Sequence, residues 1–151
     1  MNASPPGPET GQKGTLPPRE KAIFCARKVR EKKAYGVMIL HMGPLTSIAE
    51  YFVICSGRSV RQTRAIANHL RSDLKKKRTN PLGIEGEKEG CWILLDYDEV
   101  VVHVFHEPTR EIYGLEKLWS DASVLDPPEL HEKDDIILAD GYSEDEEDWE
   151  E

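Results

Sequence analysis

The sequence predicts one α/β domain: a mixed sheet of about five strands with helices packed on it. Three observations lead there. A length of 151 residues suits a single domain with a core of its own. Apolar residues recur at three- and four-residue spacing in some stretches and in short β-branched runs in others. The elements so defined follow in the order αββαβββα, which implies a mixed sheet with helices on it.

Residues 1–18 hold Pro5, Pro6, Pro8, Pro17 and Pro18 with Gly7, Gly11 and Gly14, and with so little to bury they are expected to be a disordered extension. The domain is then expected over 19–120. Arg19–Ala34 reads as the first helix, with Ile23, Phe24, Ala26 and Val29 as its apolar stripe and Lys28, Arg30, Lys32 and Lys33 at the C-terminal end, where cations suit the helix dipole. Gly36 breaks the pattern. Val37–Met42 is a short strand closed by Gly43 and Pro44, and Tyr51–Cys55 is a second, aromatic and β-branched one.

Ser59 is a good N-cap for the clearest helix, in which Val60, Thr63, Ala67, Leu70 and Leu74 recur on one side until Asn80 and Pro81 end it. Leu82–Ile84 is a short strand, followed by a connection bracketed by Gly83, Gly86 and Gly90. Cys91–Leu95 and Val100–Phe105 form a hairpin, and Pro108 starts a last helix running to about Trp119.

With Tyr97 and Asp98 as the turn, Trp92 is expected opposite His103 and Leu95 opposite Val100. Strand periodicity puts Cys91, Ile93, Leu95, Val100, Val102 and Val104 on a core face. The other face carries Trp92, Leu94, Val101, His103 and Phe105, large aromatics beside a titratable ring. Either a further helix covers that face or a macromolecule docks on it. Arg110, Tyr113 and Lys117 line one side of the last helix, and Arg and Tyr are common interface anchors.

Charge is uneven along the chain. Residues 126–151 carry 13 acidic residues against Lys133, a net of −12, which leaves +4 on residues 1–125 of a total of −8. The stretch 121–151 is expected to be an acidic, disordered tail with only Ile136, Ile137 and Leu138 to anchor it. Three cysteines, Cys25, Cys55 and Cys91, lie in apolar stretches and read as buried thiols of a reducing compartment. The absence of a basic-then-apolar leader, an Arg-rich transit pattern or a membrane-length apolar run points to the cytoplasm.

Catalytic motifs fare poorly. Ser56, Gly57 and Ser59 after a strand resemble the glycine-serine turn of nucleotidyltransferases, and Asp96 and Asp98 could hold cations, but ordinary turn chemistry already explains the aspartates. His103, His106 and Glu107 lack metal-ligand spacing. Cys55 has no local base, and no phosphate loop is present. Neither catalytic residue, metal nor cofactor is expected. The run Lys75, Lys76, Lys77 and Arg78, with Arg58, Arg61, Arg64 and Arg71, makes RNA a secondary contact.

The run Ala49–Gly57 (AEYFVICSG), Gln62 with Ala65–His69 (AIANH), Gly83–Gly86 (GIEG), Trp92, Asp96, Val101–His103 (VVH), Phe105 and Arg110–Trp119 (REIYGLEKLW) resembles the ribosomal silencing factor family, RsfS or Iojap, over about residues 19–120. The resemblance implies a nucleotidyltransferase-like topology without catalytic residues. It also implies a translational repressor that binds ribosomal protein L fourteen on the large subunit and blocks subunit joining under nutrient limitation. An assembly role on the same particle is the alternative, with a metal-dependent nucleotidyltransferase further behind. Carried over by position, the family pattern falls on Trp92, Asp96, His103, Glu107, Arg110, Tyr113, Leu115 and Trp119. With Phe105 of the hairpin face these are the expected partner-binding residues, and the free protein is expected as a monomer or homodimer. The N-terminal extension and acidic tail lie outside the pattern, and the tail's charge is expected to repel rRNA or small-subunit surfaces.

Overall fold

In a computed structural model, which describes residues 16–130, the chain forms a six-stranded mixed sheet with helices on both faces. Helix α1 (Pro18–Glu31) leads into β1 (Tyr35–His41) and β2 (Tyr51–Gly57). Helix α2 (Val60–Lys76) follows, then β3 (Gly83–Glu85), β4 (Trp92–Tyr97) and β5 (Val100–His106). Two short helices, α3 (Glu107–Tyr113) and α4 (Leu115–Leu118), and β6 (Ser123–Leu125) complete the unit. The strand order is β3-β4-β5-β2-β1-β6, with β2 and β5 parallel at the centre and every other pair antiparallel.

The pleat sorts the core into two. On one face Tyr51, Val53 and Cys55 of β2, Ile93, Leu95 and Tyr97 of β4, and Val100, Val102 and Val104 of β5 pack against α1 and α2. Those helices supply Ala22, Ile23, Cys25, Ala26, Val29, Ile66, Ala67, Leu70 and Leu74, so the predicted stripe is buried except at Phe24 and Val60, which are only partly covered, and Ala22, Cys25 and Ile66 join it. Ser59 caps α2 as expected, its Oγ accepting the Gln62 amide at 3.1 Å. The Gln62 side chain then donates to the carbonyls of Lys32 and Lys33, tying the start of α2 to the end of α1. Lys21, buried on α1, reaches the hairpin turn, donating to the Tyr97 carbonyl and pairing with Glu99 at 2.8 Å.

On the opposite face Leu40, Phe52, Ile54, Val101 and Phe105 form a second core, closed by Leu115 with Trp92, Leu94 and Trp119 around it. A helix-rich segment does cover this face of the hairpin, so the first of the two alternatives is met in part.

Several expectations are corrected. The hairpin turn is Asp98 and Glu99, because Tyr97 pairs with Val100 and Trp92 with Phe105; Leu94, not Trp92, stands opposite His103. Asp98 takes a left-handed φ of 71°, and its amide donates to Asp96 Oδ1, an aspartate turn that fixes this register. The two-residue slip leaves the face of each side chain unchanged. The expected helix Pro108–Trp119 is broken at Gly114, whose φ of 53° ends α3 with a left-handed cap and redirects the chain into α4. Cys91 is exposed, one residue before β4, whereas Cys25 and Cys55 are buried, and burial pushes both buried thiols up to about 12.

The fold also continues past residue 120. Ser123–Leu125 adds a sixth strand to the edge of β1, and Leu130 is buried against the first core. Three residues are too short a run to signal a strand, and only the open β1 edge makes them one. The disorder expected for 1–15 and 131–151, and the anchor Ile136–Leu138, lie outside the described residues.

Candidate functional site

The sheet's second face is where the expected site residues gather. Phe105 is fully buried and His103 is 4% exposed. The His103 ring lies edge-on to Phe52, with centroids 4.6 Å apart. Trp92 Nε1 donates to His103 Nδ1 at 3.1 Å. An indole nitrogen can only donate, so His103 Nδ1 accepts and the proton sits on Nε2. Nε2 is buried, and among the described residues it has no hydrogen-bond partner. Burial pushes the ring's pKa down to about 4, so it is neutral at ordinary pH.

Trp92 is the link outward. Its indole lies 4.9 Å from the Phe105 ring below and 4.9 Å from the Tyr113 ring above. Tyr113 is 58% exposed at the end of α3, and beside it in sequence Ile112 is 78% exposed. On α4 Leu118 is likewise open to solvent, while Leu115 points into the second core and Trp119 lies edge-on to Phe52. Val124 of β6, paired with Leu40, adds another exposed apolar side chain to this face.

Arg110 holds this cover in place. Its guanidinium donates to Ser56 Oγ at 2.7 Å and pairs with Glu116 at 3.0 Å, with only 11% of the side chain exposed. It therefore joins α3, α4 and the end of β2 by one planar fork. Gly36, at a left-handed φ of 59° that favours glycine, leaves room for this fork: a Cβ there would stand 2.7 Å from Arg110 Nη1 and push the guanidinium aside.

The remaining expected residues sit apart. Asp96 is spent on the hairpin turn, and Glu107 opens α3, half-exposed, close enough to Tyr35 for its charge to add to the burial that raises that phenol's pKa. His103, His106 and Glu107 do not converge. Among the described residues the His and carboxylate group near enough to share an ion is Glu31, His69 and Asp73, between α1 and α2. Lys28 already stands there, 2.9 Å from Asp73 and 3.3 Å from Glu31, and its hydrogen bond holds the Asp73 carboxyl below the usual range. The cluster carries its own cation.

A family model described as "Ribosomal silencing factor during starvation" matches residues 15–148. The chain belongs to the ribosomal silencing factor family. The match runs past residue 120, the limit expected from the motifs, and takes in most of the acidic stretch. "Ribosomal silencing factor RsfS" of Halalkalibacterium halodurans is 41% identical over 108 residues, covering 72% of this chain and 92% of that protein. A mouse relative, "Mitochondrial assembly of ribosomal large subunit protein 1", is 35% identical over 61% of this chain and 42% of its own length. A crystal structure of a Chromobacterium violaceum protein superposes with a TM-score of 0.68 at 30% identity, covering 70% of this chain and 88% of that one.

Within this silencing-factor chain the family motif thus divides by burial. Phe105, His103, Leu115 and Arg110 build the platform, and Tyr113, with Trp92 at its edge, is presented on it. Ile112 and Leu118 were not among the expected residues. The signal that could have found them was Gly114, because a helix broken there cannot keep one continuous apolar stripe turned inward.

Proposed function

We propose that this chain docks on the large ribosomal subunit, on ribosomal protein L fourteen, and represses translation by occupying space the small subunit needs. What carries the reading is the apolar patch on α3 and α4, where the exposed Tyr113 ring lies 4.9 Å from Trp92 and Ile112 and Leu118 of the same two helices are open to solvent. Monomeric proteins seldom leave so many large apolar side chains together on one face, and aromatic anchors over a buried platform are how interfaces concentrate affinity. Membership of the silencing-factor family supplies the particle, and the resemblance of Trp92 and Arg110–Trp119 to the family motif supplies the partner protein. Chemistry has no part in the proposal: the block is steric, and Asp96 is used in the turn.

The test is sedimentation of subunits with the native protein and with Tyr113→Ala or Ile112→Ser. The native protein should travel with large subunits and lower the yield of joined ribosomes. Each variant should weaken co-sedimentation about 30-fold, the loss of roughly 2 kcal/mol usual for an anchor, with an unchanged melting temperature. Undiminished binding by both would overturn the site.

A second reading, assembly of the large subunit, is favoured by the name of the mouse relative. It uses the same patch, and it is distinguished by co-sedimentation with immature particles in preference to mature ones.

A further inference from the structure

The opposite face of the molecule has a different character. Residues 18–33 and 58–78, which hold α1 and α2, carry fifteen Lys and Arg against Glu20, Glu31 and Asp73, a net of +12. Neither helix contributes a large exposed apolar side chain among the described residues. Such a layer suits a polyanion and offers little to an apolar partner.

We propose that the acidic C-terminal segment, residues 131–151, lies across this helical layer as an intramolecular polyanion. That segment holds eleven acidic residues against Lys133, a net of −10. Its starting point is favourable. Leu130 is 4% exposed in the core beneath α1, and its carbonyl accepts from Arg30 Nη1 at 3.3 Å, so the chain leaves the described fold beside α1 and away from the apolar patch. Twenty-one further residues reach up to roughly 70 Å, whereas α1 and α2 are about 21 and 26 Å long at 1.5 Å per residue.

The acidic run Glu144–Glu151 can therefore reach the exposed cluster Lys75, Lys76, Lys77 and Arg78 at the end of α2. Two antiparallel helices carrying like charge also repel one another, and a tethered counter-charge relieves that repulsion. Tethering favours this occupant over free RNA. Attachment to the same chain gives the segment an effective concentration on the order of millimolar, whereas free nucleic acid competes with non-specific dissociation constants of about 10⁻⁴ to 10⁻⁶ M. The consequence is that generic polyanions are held off the helical layer, which leaves recognition to the other face. Because it concerns that other layer, the inference stands or falls separately from ribosome docking.

Zero-length carbodiimide coupling of the full chain at low salt tests it directly. Peptide mapping should join acids of 144–151 to lysines of 28–33 or 75–77, and a mixture of isotope-labelled and unlabelled protein should show the links within one molecule. Links only between molecules would assign the layer to a second copy, and absence of links would overturn the proposal.

The second measurement uses a full-length variant in which Glu144, Asp145, Glu146, Glu147, Asp148, Glu150 and Glu151 become their amides. It should bind polyuridylate at least about tenfold more tightly than the native chain at 0.1 M salt, with a steeper salt dependence. Lys75→Glu with Lys76→Glu and Lys77→Glu in that background should remove the gain. Equal affinity of the native and amidated chains would sink the idea, and polyuridylate, having no ribosomal protein, makes that failure distinct from failure of the docking site.

Discussion

Two layers cover the two faces of one sheet, and they differ in what they leave outside. The α1 and α2 layer spans fourteen and seventeen residues of continuous helix, turns most of its apolar stripe inward and shows water mainly cations. The α3, α4 and β6 layer is made of seven-, four- and three-residue pieces, and it leaves Ile112, Tyr113, Leu118 and Val124 exposed. Long helices can satisfy a complete stripe against the sheet; short ones broken at a glycine cannot, so part of their apolar surface is left in solvent. The comparison teaches that one layer mainly stabilises, while the other stabilises with its inner side and leaves apolar side chains on its outer side, the surface proposed for docking.

The largest effects should come from beneath either layer. Phe105→Ala and Leu70→Ala remove fully buried side chains on opposite faces, and each should cost about 3–5 kcal/mol in denaturant unfolding. A small cost for Phe105→Ala alone would show that the second core is a loose cover.

His103 gives the next effect, and it belongs to the second face only. Above pH 6.5 the ring is neutral in both folded and unfolded chains. Between 6.5 and about 4 the unfolded chain takes up a proton that the folded chain refuses, so stability falls as pH falls and levels off below about 4. The loss totals about 3 kcal/mol. Unfolding curves for His103→Gln should be flatter across that window than those of the native protein, and equal slopes would show that another group is responsible.

Arg110→Ala should cost about 2 kcal/mol, because it strands the half-buried Glu116 carboxylate and frees α3 and α4 together. Arg110→Lys should not restore the loss, since an ammonium cannot satisfy Ser56 and Glu116 in one plane. Recovery by lysine would mean that charge alone holds the cover. The smallest stability effect, within about 0.5 kcal/mol, is expected for Leu118→Ser. Large-subunit co-sedimentation should nonetheless weaken, and a stability cost without a binding cost would reverse the role given to that layer.

Much of this was legible before folding was considered. The 3.6-residue stripe of α2, its Ser59 cap and the alternation of β4 and β5 are local patterns, so one sequence sufficed to assign their elements and faces. Even the wrong turn position left the faces right, because the register error was two residues. The candidate cluster was legible as a set and not as positions: the motif marked Trp92, His103, Phe105, Arg110 and Tyr113 together, although their burial runs from none of the residue exposed to more than half.

By itself, then, the sequence determined the α/β class, the two main helices, the two faces of the hairpin and the charge divided between helical layer and tail, since each follows from neighbours along the chain. Only the tertiary structure decided that His103 is buried under Trp92, that Arg110 is a clamp, that Ser123–Leu125 pairs with β1 and that Ile112 and Leu118 are left outside. Those outcomes depend on which distant segment covers which face, and Arg110 with Ser56, or Leu130 with Arg30, are contacts between residues far apart in the chain. No local period records them.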